Sequence, residues 1–381
     1  MVNVPINHKV LKWARDFRGL SVEEAADKIG VSIDELLAYE AGKQFPNLTR
    51  FEKFANVYQL PQATLFRRTP PKEPRLPSDF RTFEGAPPHF SFAFHVALSE
   101  VRVLQRNLRN LSKDDDEFRG ADLPAYERQR DPWTQGEQER ERIGVSIQEQ
   151  LNWHSNEGFR RWRAILEERG IGVYLQKFEL RDCRGFSLFE DDFPPGIVIN
   201  KAEDYDRART FTLIHEYAHL LIRRPGISDQ NSRDPTEAFC NRFAAAFLMP
   251  TAALRAVLSF WPNKPENWER DYIRRCATRL KVSQQALALR LEEMGLAPPG
   301  FYSRFVWKGK DKKEISGGGG GNYVVTRLNE IGGQYMFAII GALDRQIIDP
   351  AHAAEALGLA ADHFETVRQS IERQRTLVSG E

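Results

Sequence analysis

The chain has 381 residues, 41% of them hydrophobic and 28% charged, which fits two or three folded domains and excludes a fibrous repeat or a disordered tail protein. Its 54 Lys and Arg against 53 Asp and Glu give a net charge of +1, so no global basic field holds nucleic acid and any DNA contact must be local. The longest notable apolar run, Tyr335 to Leu343, is far short of the ~20 residues that span a bilayer, and the opening residues lack a signal-peptide core, which together predict a cytoplasmic protein with no membrane partner.

Residues 1–68 read as short helices. Ser21 with Glu24, and Ser32 with Glu35, are S-x-x-E capping boxes that start two of them, and Gly30 ends the first. Ala25, Ile29, Val31, Ile33 and Leu36 supply apolar contacts between the two, a helix-turn-helix pattern. A Pro-rich linker follows over 69–89. From Phe90 to about Gly170 apolar residues such as Phe94, Leu98, Val101 and Leu104 recur at helical spacing, with a charged loop from Lys113 to Gln138 between two long helices. The arginines of Arg128 to Arg142 are interspersed with acids and read as a solvated face.

After Gly170 the period shifts. Val173–Leu175, Phe186–Phe189 and Gly196–Asn200 predict three short strands, and helices follow from about 204 to 221 and from Pro235 to Leu248. The domain closes near residue 295, a glycine-rich tether covers 296–321, and 322–381 form a small C-terminal helical module. Its signals are a helical pattern up to Arg345, an Asp349-Pro350 helix start and a last helix from Asp362.

His215-Glu216-Tyr217-Ala218-His219 is an H-E-x-x-H segment in a helix whose pattern predicts one buried and one open face. Four-residue spacing puts both imidazoles on one side of the helix, as two ligands of a single Zn2+ require. Glu216 projects beside such an ion, where it can take a proton from water whose pKa zinc lowers toward ~7 and pass it to a leaving amine. The three cysteines, Cys183, Cys240 and Cys276, have no CxxC spacing and suggest no thiolate site. A third ligand must come from elsewhere, and Asp229, Asp234 and Glu237 are the candidates. Glu237, 18 residues after His219 at the start of the next helix, is the best placed, although Asp234-Pro235-Thr236-Glu237 also reads as a capping box.

The run Arg209-Thr210-Phe211-Thr212-Leu213-Ile214 into H-E-x-x-H, then Glu237-x-x-Cys240-Asn241-Arg242-Phe243-Ala244-Ala245 and Leu248-Met249-Pro250, resembles the ImmA/IrrE family of zinc metallopeptidases over roughly 170–260. Tyr39-Glu40-Ala41-Gly42-Lys43 with Pro46 resembles the Xre/Cro type of helix-turn-helix. The resemblance implies a mainly α fold with a small β-sheet (α+β), with a helix-turn-helix domain ahead of a zincin-like metallopeptidase domain over 90–295. It implies His215, His219 and Glu237 as zinc ligands and Glu216 as general base. It also implies a protein substrate, a helix-turn-helix repressor or neighbouring-gene product, with some relatives acting as proposed antitoxins. Operator DNA, bound through residues 1–68, and a homodimer are partners it allows. Another function stays open: a non-proteolytic transcription regulator or antitoxin using the peptidase fold as a binding module.

The N-terminal domain departs from a basic DNA reader. Ser32, Ile33, Asp34 and Glu35 open the second helix, where base contacts are expected, and only Ser32, Lys43 and Gln44 suit DNA. Residues 1–68 hold ten Lys or Arg against eight Asp or Glu, so a dimerising or repressor-docking role is the alternative.

Overall fold

The computed structural model describes residues 3–71, 90–114, 121–190, 192–203, 205–224, 234–258, 268–307 and 323–379. The fold is mainly helical with one small sheet. It divides into two compact units, Met1–Arg102 with Lys177–Asp182, and Val103–Gln176 with Cys183–Glu381. Among the described residues no helix is long and apolar enough to cross a membrane.

The first unit contains α1 (His8–Phe17), α2 (Val22–Ile29), α3 (Ile33–Glu40), α4 (Leu48–Val57) and a 3-10 turn at Gln62–Phe66. Asn7, Ser21, Ser32 and Asn47 each accept a backbone N–H from the first turn of their own helix, which satisfies donors that a helix start leaves open. Ser21 and Glu24 close a full capping box. Glu35 does not, because its carboxylate instead accepts from Tyr39 Oη at 2.8 Å and lies 3.6 Å from Arg50. Val10, Leu11, Ala14, Ile29, Leu36 and Phe54 form the core. Arg15 and Glu40 pair inside it at 2.7 Å.

A long helix, α5 (Phe92–Asp114), leads into α6 (Pro132–Ile143), α7 (Ile147–Asn152) and α8 (Gly158–Glu168). The sequence pattern suggested one long second helix after a loop ending at Gln138. Asp131 and Pro132 start α6 earlier, and Gly144, at φ 83°, then breaks the helix. Of the arginines expected on a solvated face, Arg130 and Arg142 are exposed and Arg128 is half-buried, whereas Arg140 turns inward. Arg140, 3% exposed, donates to the Phe247 carbonyl at 3.1 Å.

Three strands follow: β1 (Gly172–Gln176), β2 (Gly185–Glu190) and β3 (Phe193–Asn200). β3 is central, parallel to β1 and antiparallel to β2. The β2/β3 register shifts between Leu188 and Glu190, beside Pro194 and Pro195, which cannot donate to a ladder. Then come α9 (Asp206–Leu221), α10 (Pro235–Leu248), α11 (Thr251–Val257), α12 (Arg270–Leu280), α13 (Gln284–Glu293) and α14 (Phe301–Trp307), the last lying where a tether was expected. The final helices are α15 (Tyr323–Ile331), α16 (Gly333–Asp344), α17 (Pro350–Leu357) and α18 (Phe364–Ser379). Gly332, at φ 82°, splits the pattern read as one helix up to Arg345. The tail packs on the same unit as the sheet, α15 and α16 against β1 and α18 against α8. The glycine run after Ser316 and residues 72–89 of the linker lie outside the described residues.

The core of this unit surrounds α9. Every residue from Thr212 to Leu221 is buried, so the open face expected from the pattern does not exist. α9 packs on β2, β3, α8 and α10, and α10 packs in turn on α6. That last contact is backbone to backbone: a Cβ on Gly136 would lie 2.6 Å from the Phe243 carbonyl oxygen. On the far side of α9 from the histidines, Tyr217 Oη donates to Glu139 Oε1 at 2.5 Å. The same buried carboxylate accepts from Tyr126 Oη at 2.9 Å and from Arg142 Nη2 at 2.8 Å. Replacing Glu139 by Ala strands these donors, so Glu139→Ala is expected to cost about 3 kcal/mol, since removing one partner of a buried pair costs ~3–5. Denaturant unfolding measures it; a loss below ~1 kcal/mol would show that the network does not anchor α9.

Candidate metal centre

The H-E-x-x-H segment occupies the last two turns of α9, and Glu237 stands in the first turn of α10. His215 Nε2 and His219 Nε2 lie 3.2 Å apart. Glu237 Oε1 is 3.0 Å from His219 Nε2, and Oε2 is 3.2 Å from His215 Nε2. One donor atom from each of the three residues falls within 4.8 Å of the others. The relative exposures are 3% for His215, 1% for His219, 6% for Glu237 and 0% for Glu216.

The alternative role for Glu237, helix cap, belongs to its neighbour. Asp234 Oδ1 accepts the Thr236 N–H at 2.7 Å, which leaves the Glu237 side chain to turn toward the imidazoles. Asp234 is exposed and Asp229 lies outside the described residues.

Electrostatics favour positive charge at this point. Burial pushes the Glu237 carboxyl up, but its contacts with His215 and His219 outweigh that and hold it at about 2. His219 moves the other way: burial opposes its charging, yet Cys240, Glu237 and Glu216 together raise it well above the ordinary histidine range. Glu237 Oε2 is buried without a well-formed hydrogen bond among the described residues. Two imidazole nitrogens and a carboxylate oxygen with an unused lone pair form a donor set that suits a divalent zinc-like ion.

Surrounding groups hold the donors in place. His219 Nδ1 lies 2.8 Å from the carbonyl oxygen of Arg224. A carbonyl only accepts, so Nδ1 carries a proton, and Nε2 faces the cluster, where it offers a lone pair to an ion once its own proton is displaced. Gly185 opens β2 under α9, where a Cβ would come within 2.7 Å of Thr212 Cγ2 and 3.4 Å of Glu216 Cγ. Sequence reasoning missed both. A glycine at a strand start was a usable signal of close approach, whereas nothing in the sequence announces a backbone carbonyl.

Residues 166–292 match the peptidase M78 family, described as the IrrE N-terminal-like domain, and residues 9–66 match a helix-turn-helix domain. The two matched segments, in this order, are similar to the ImmA/IrrE architecture with an N-terminal helix-turn-helix. Comparisons with curated proteins and with solved structures gave no match. The peptidase match takes in α9, α10 and the whole sheet, while α6, which grips both helices from behind through Gly136 and Glu139, lies before it.

In the helix-turn-helix domain, Ser32, Lys43 and Gln44 are all exposed. The Ser32 hydroxyl is engaged as the cap of α3, accepting from Glu35 N–H at 3.1 Å. Gly42, at φ 71°, turns the chain so that the Lys43 N–H closes on the Ala38 carbonyl. The outward side of α3 is apolar, with Ile33 43% and Leu37 45% exposed.

Gly185→Ala tests the fit of α9 on β2. Its Cβ would also lie 2.9 Å from the Val198 carbonyl, which cannot swing away, so a loss of ~1–3 kcal/mol from overpacking is expected in thermal or denaturant melts. Wild-type stability in the variant would mean that the helix does not press on this strand.

Proposed function

We propose that this chain is a zinc-dependent endopeptidase that cleaves a protein partner, a helix-turn-helix repressor or linked regulatory protein. The observation that carries the reading is the convergence of His215, His219 and Glu237 from two helices, with Glu216 between the two histidines. These three residues would hold the ion and leave a fourth position for substrate or water, as catalytic zinc needs. Bound there, zinc supplies Lewis acidity, polarising the scissile carbonyl and lowering the pKa of water toward ~7.

The proton traffic belongs to Glu216. Its carboxylate takes a proton as water adds to the carbonyl carbon, then delivers it to the amide nitrogen as the C–N bond breaks. A residue that neither caps nor ligates, yet is buried on the ligand helix with its Cγ beside Gly185, is suited to that work. A metal that only held the fold would need no carboxylate at this point.

Two measurements test the assignment. His219→Ala and Glu237→Gln are expected to weaken Zn2+ binding by more than the ~10–100-fold that losing an outer-shell partner costs, measured by competition with a chelating dye. Glu216→Gln should keep the zinc and lose ~10²–10⁴ in the rate of cleaving the neighbouring-gene product. A Glu216→Gln protein that binds zinc and cleaves at the wild-type rate would sink the peptidase mechanism.

A second reading has its own support. The apolar outward side of α3, with Asp34 exposed beside it, suits a protein surface better than phosphates, which favours a non-proteolytic regulator or antitoxin that docks through its first domain. Lys43 and Gln44, with Ser32, are the residues suited to DNA. If they bind it, affinity for the chain's own promoter should fall steeply with salt, and Lys43→Ala should reduce the salt slope by about 1. A promoter affinity in the full chain that is indifferent to salt and to Lys43→Ala would favour docking.

A further inference from the structure

The end of α9 is shaped by a residue in an unusual backbone conformation. Ile222 ends the helix, and Arg223 follows at φ 54°, in the left-handed region where a side chain is strained and glycine is not. The Arg223 N–H bonds the Leu220 carbonyl at 3.1 Å, and the Arg224 N–H bonds the His219 carbonyl at 3.0 Å. This paired closure is the Schellman arrangement, in which the left-handed residue swings the next peptide back over the last turn. Here the swing has a chemical consequence. It brings the Arg224 carbonyl to 2.8 Å from His219 Nδ1.

The Arg223 side chain accounts for a non-glycine residue at that point. Its Nη2 donates to the Leu123 carbonyl at 2.7 Å, and its guanidinium sits 4.4 Å from the centroid of the Phe189 ring in β2. A charged hydrogen bond and a cation–π contact together offset the strain of the left-handed backbone. Glycine would permit the turn without tying it to anything.

We propose that Arg223 is a positioning residue for the metal centre, holding the turn that delivers the Arg224 carbonyl to His219 Nδ1 and so keeps Nε2 aimed at His215 and Glu237. It touches neither metal nor substrate. The proposal rests on the zinc reading above, and its test separates the two.

Zn2+ affinity is measured by chelator competition for wild type, His219→Ala, Arg223→Ala and Arg223→Gly, with no substrate present. In the zinc-loaded, 15N-histidine-labelled proteins, solvent exchange of the His219 Nδ1 proton is followed by NMR, with His219→Ala giving the assignment. Arg223→Ala keeps the cost of the left-handed backbone and loses the clamp, so it should bind zinc ~10–100-fold more weakly, the usual cost of an outer-shell partner, and its Nδ1 proton should exchange faster. Arg223→Gly adopts the turn freely and should recover most of the affinity and the protection. Wild-type affinity and exchange in Arg223→Ala, or no recovery in Arg223→Gly, would overturn the positioning role. If Arg223→Ala does not fold, Arg223→Gln, which keeps a non-glycine side chain but not the guanidinium, takes its place under the same criteria. A wild-type protein that binds no zinc, or an unchanged His219→Ala, would instead defeat the metal reading itself.

Discussion

A helix buried on every side cannot leave a polar group unpaired without a penalty of several kcal/mol, and α9 is such a helix from Thr212 onward. At 100° per residue its consecutive side chains point in different directions. His215 and His219, one turn apart, meet Glu237 of α10. Tyr217, about 200° around from His215, meets Glu139 of α6. Glu216 lies beside Gly185 of β2. Polar side chains thus tie α9 to α10 and to α6 while Glu216 sits against β2, and a small rotation would break several contacts at once. The rotational setting of this one helix is the constraint on which the donor geometry depends.

Much of this was legible in the sequence, for identifiable reasons. The three strands announce themselves by short apolar runs between turn residues, and the structure forms them over the same cores, with β3 starting three residues earlier at Phe193. The histidine pair follows from helical spacing alone. Glu237 was ambiguous because an acidic residue three positions into a helix serves either as cap or as ligand; Asp234 accepts the Thr236 N–H, and the Glu237 carboxylate lies beside the two histidines. The break at Gly144 and the inward course of Arg140 were not legible, since charged residues at helical spacing look solvated until a partner such as the Phe247 carbonyl is known. α9 itself misled, because Thr212, His215, Glu216 and His219 imitate a wet face while being buried by other parts of the chain.

The helix-turn-helix domain shows the converse. Its starts, at Asn7, Ser21, Ser32 and Asn47, depend on neighbours within four residues and so are written locally. What its outer surface meets is not. Ile33 and Leu37 are four apart on the exposed side of α3, a spacing that in a core helix would signal burial. The same architecture therefore supports two different uses, and the identity of a few outward residues, more than the fold, selects between them.

In the proposed zinc site, two donors on α9 and the third on α10 couple metal affinity to helix packing. The distance between the imidazoles and Glu237 is set by how closely α10 approaches α9, and α10 is in turn seated on α6 at Gly136. An ion that binds only the packed arrangement stabilises it by RT ln(1 + [L]/Kd), about 4 kcal/mol at a thousandfold excess over Kd. The dependence runs both ways, because the apparent Kd rises as the packed fraction falls. A substitution at the α6/α10 contact, far from any donor atom, would therefore register as lost metal affinity, whereas one on the outer surface of the same helices would not.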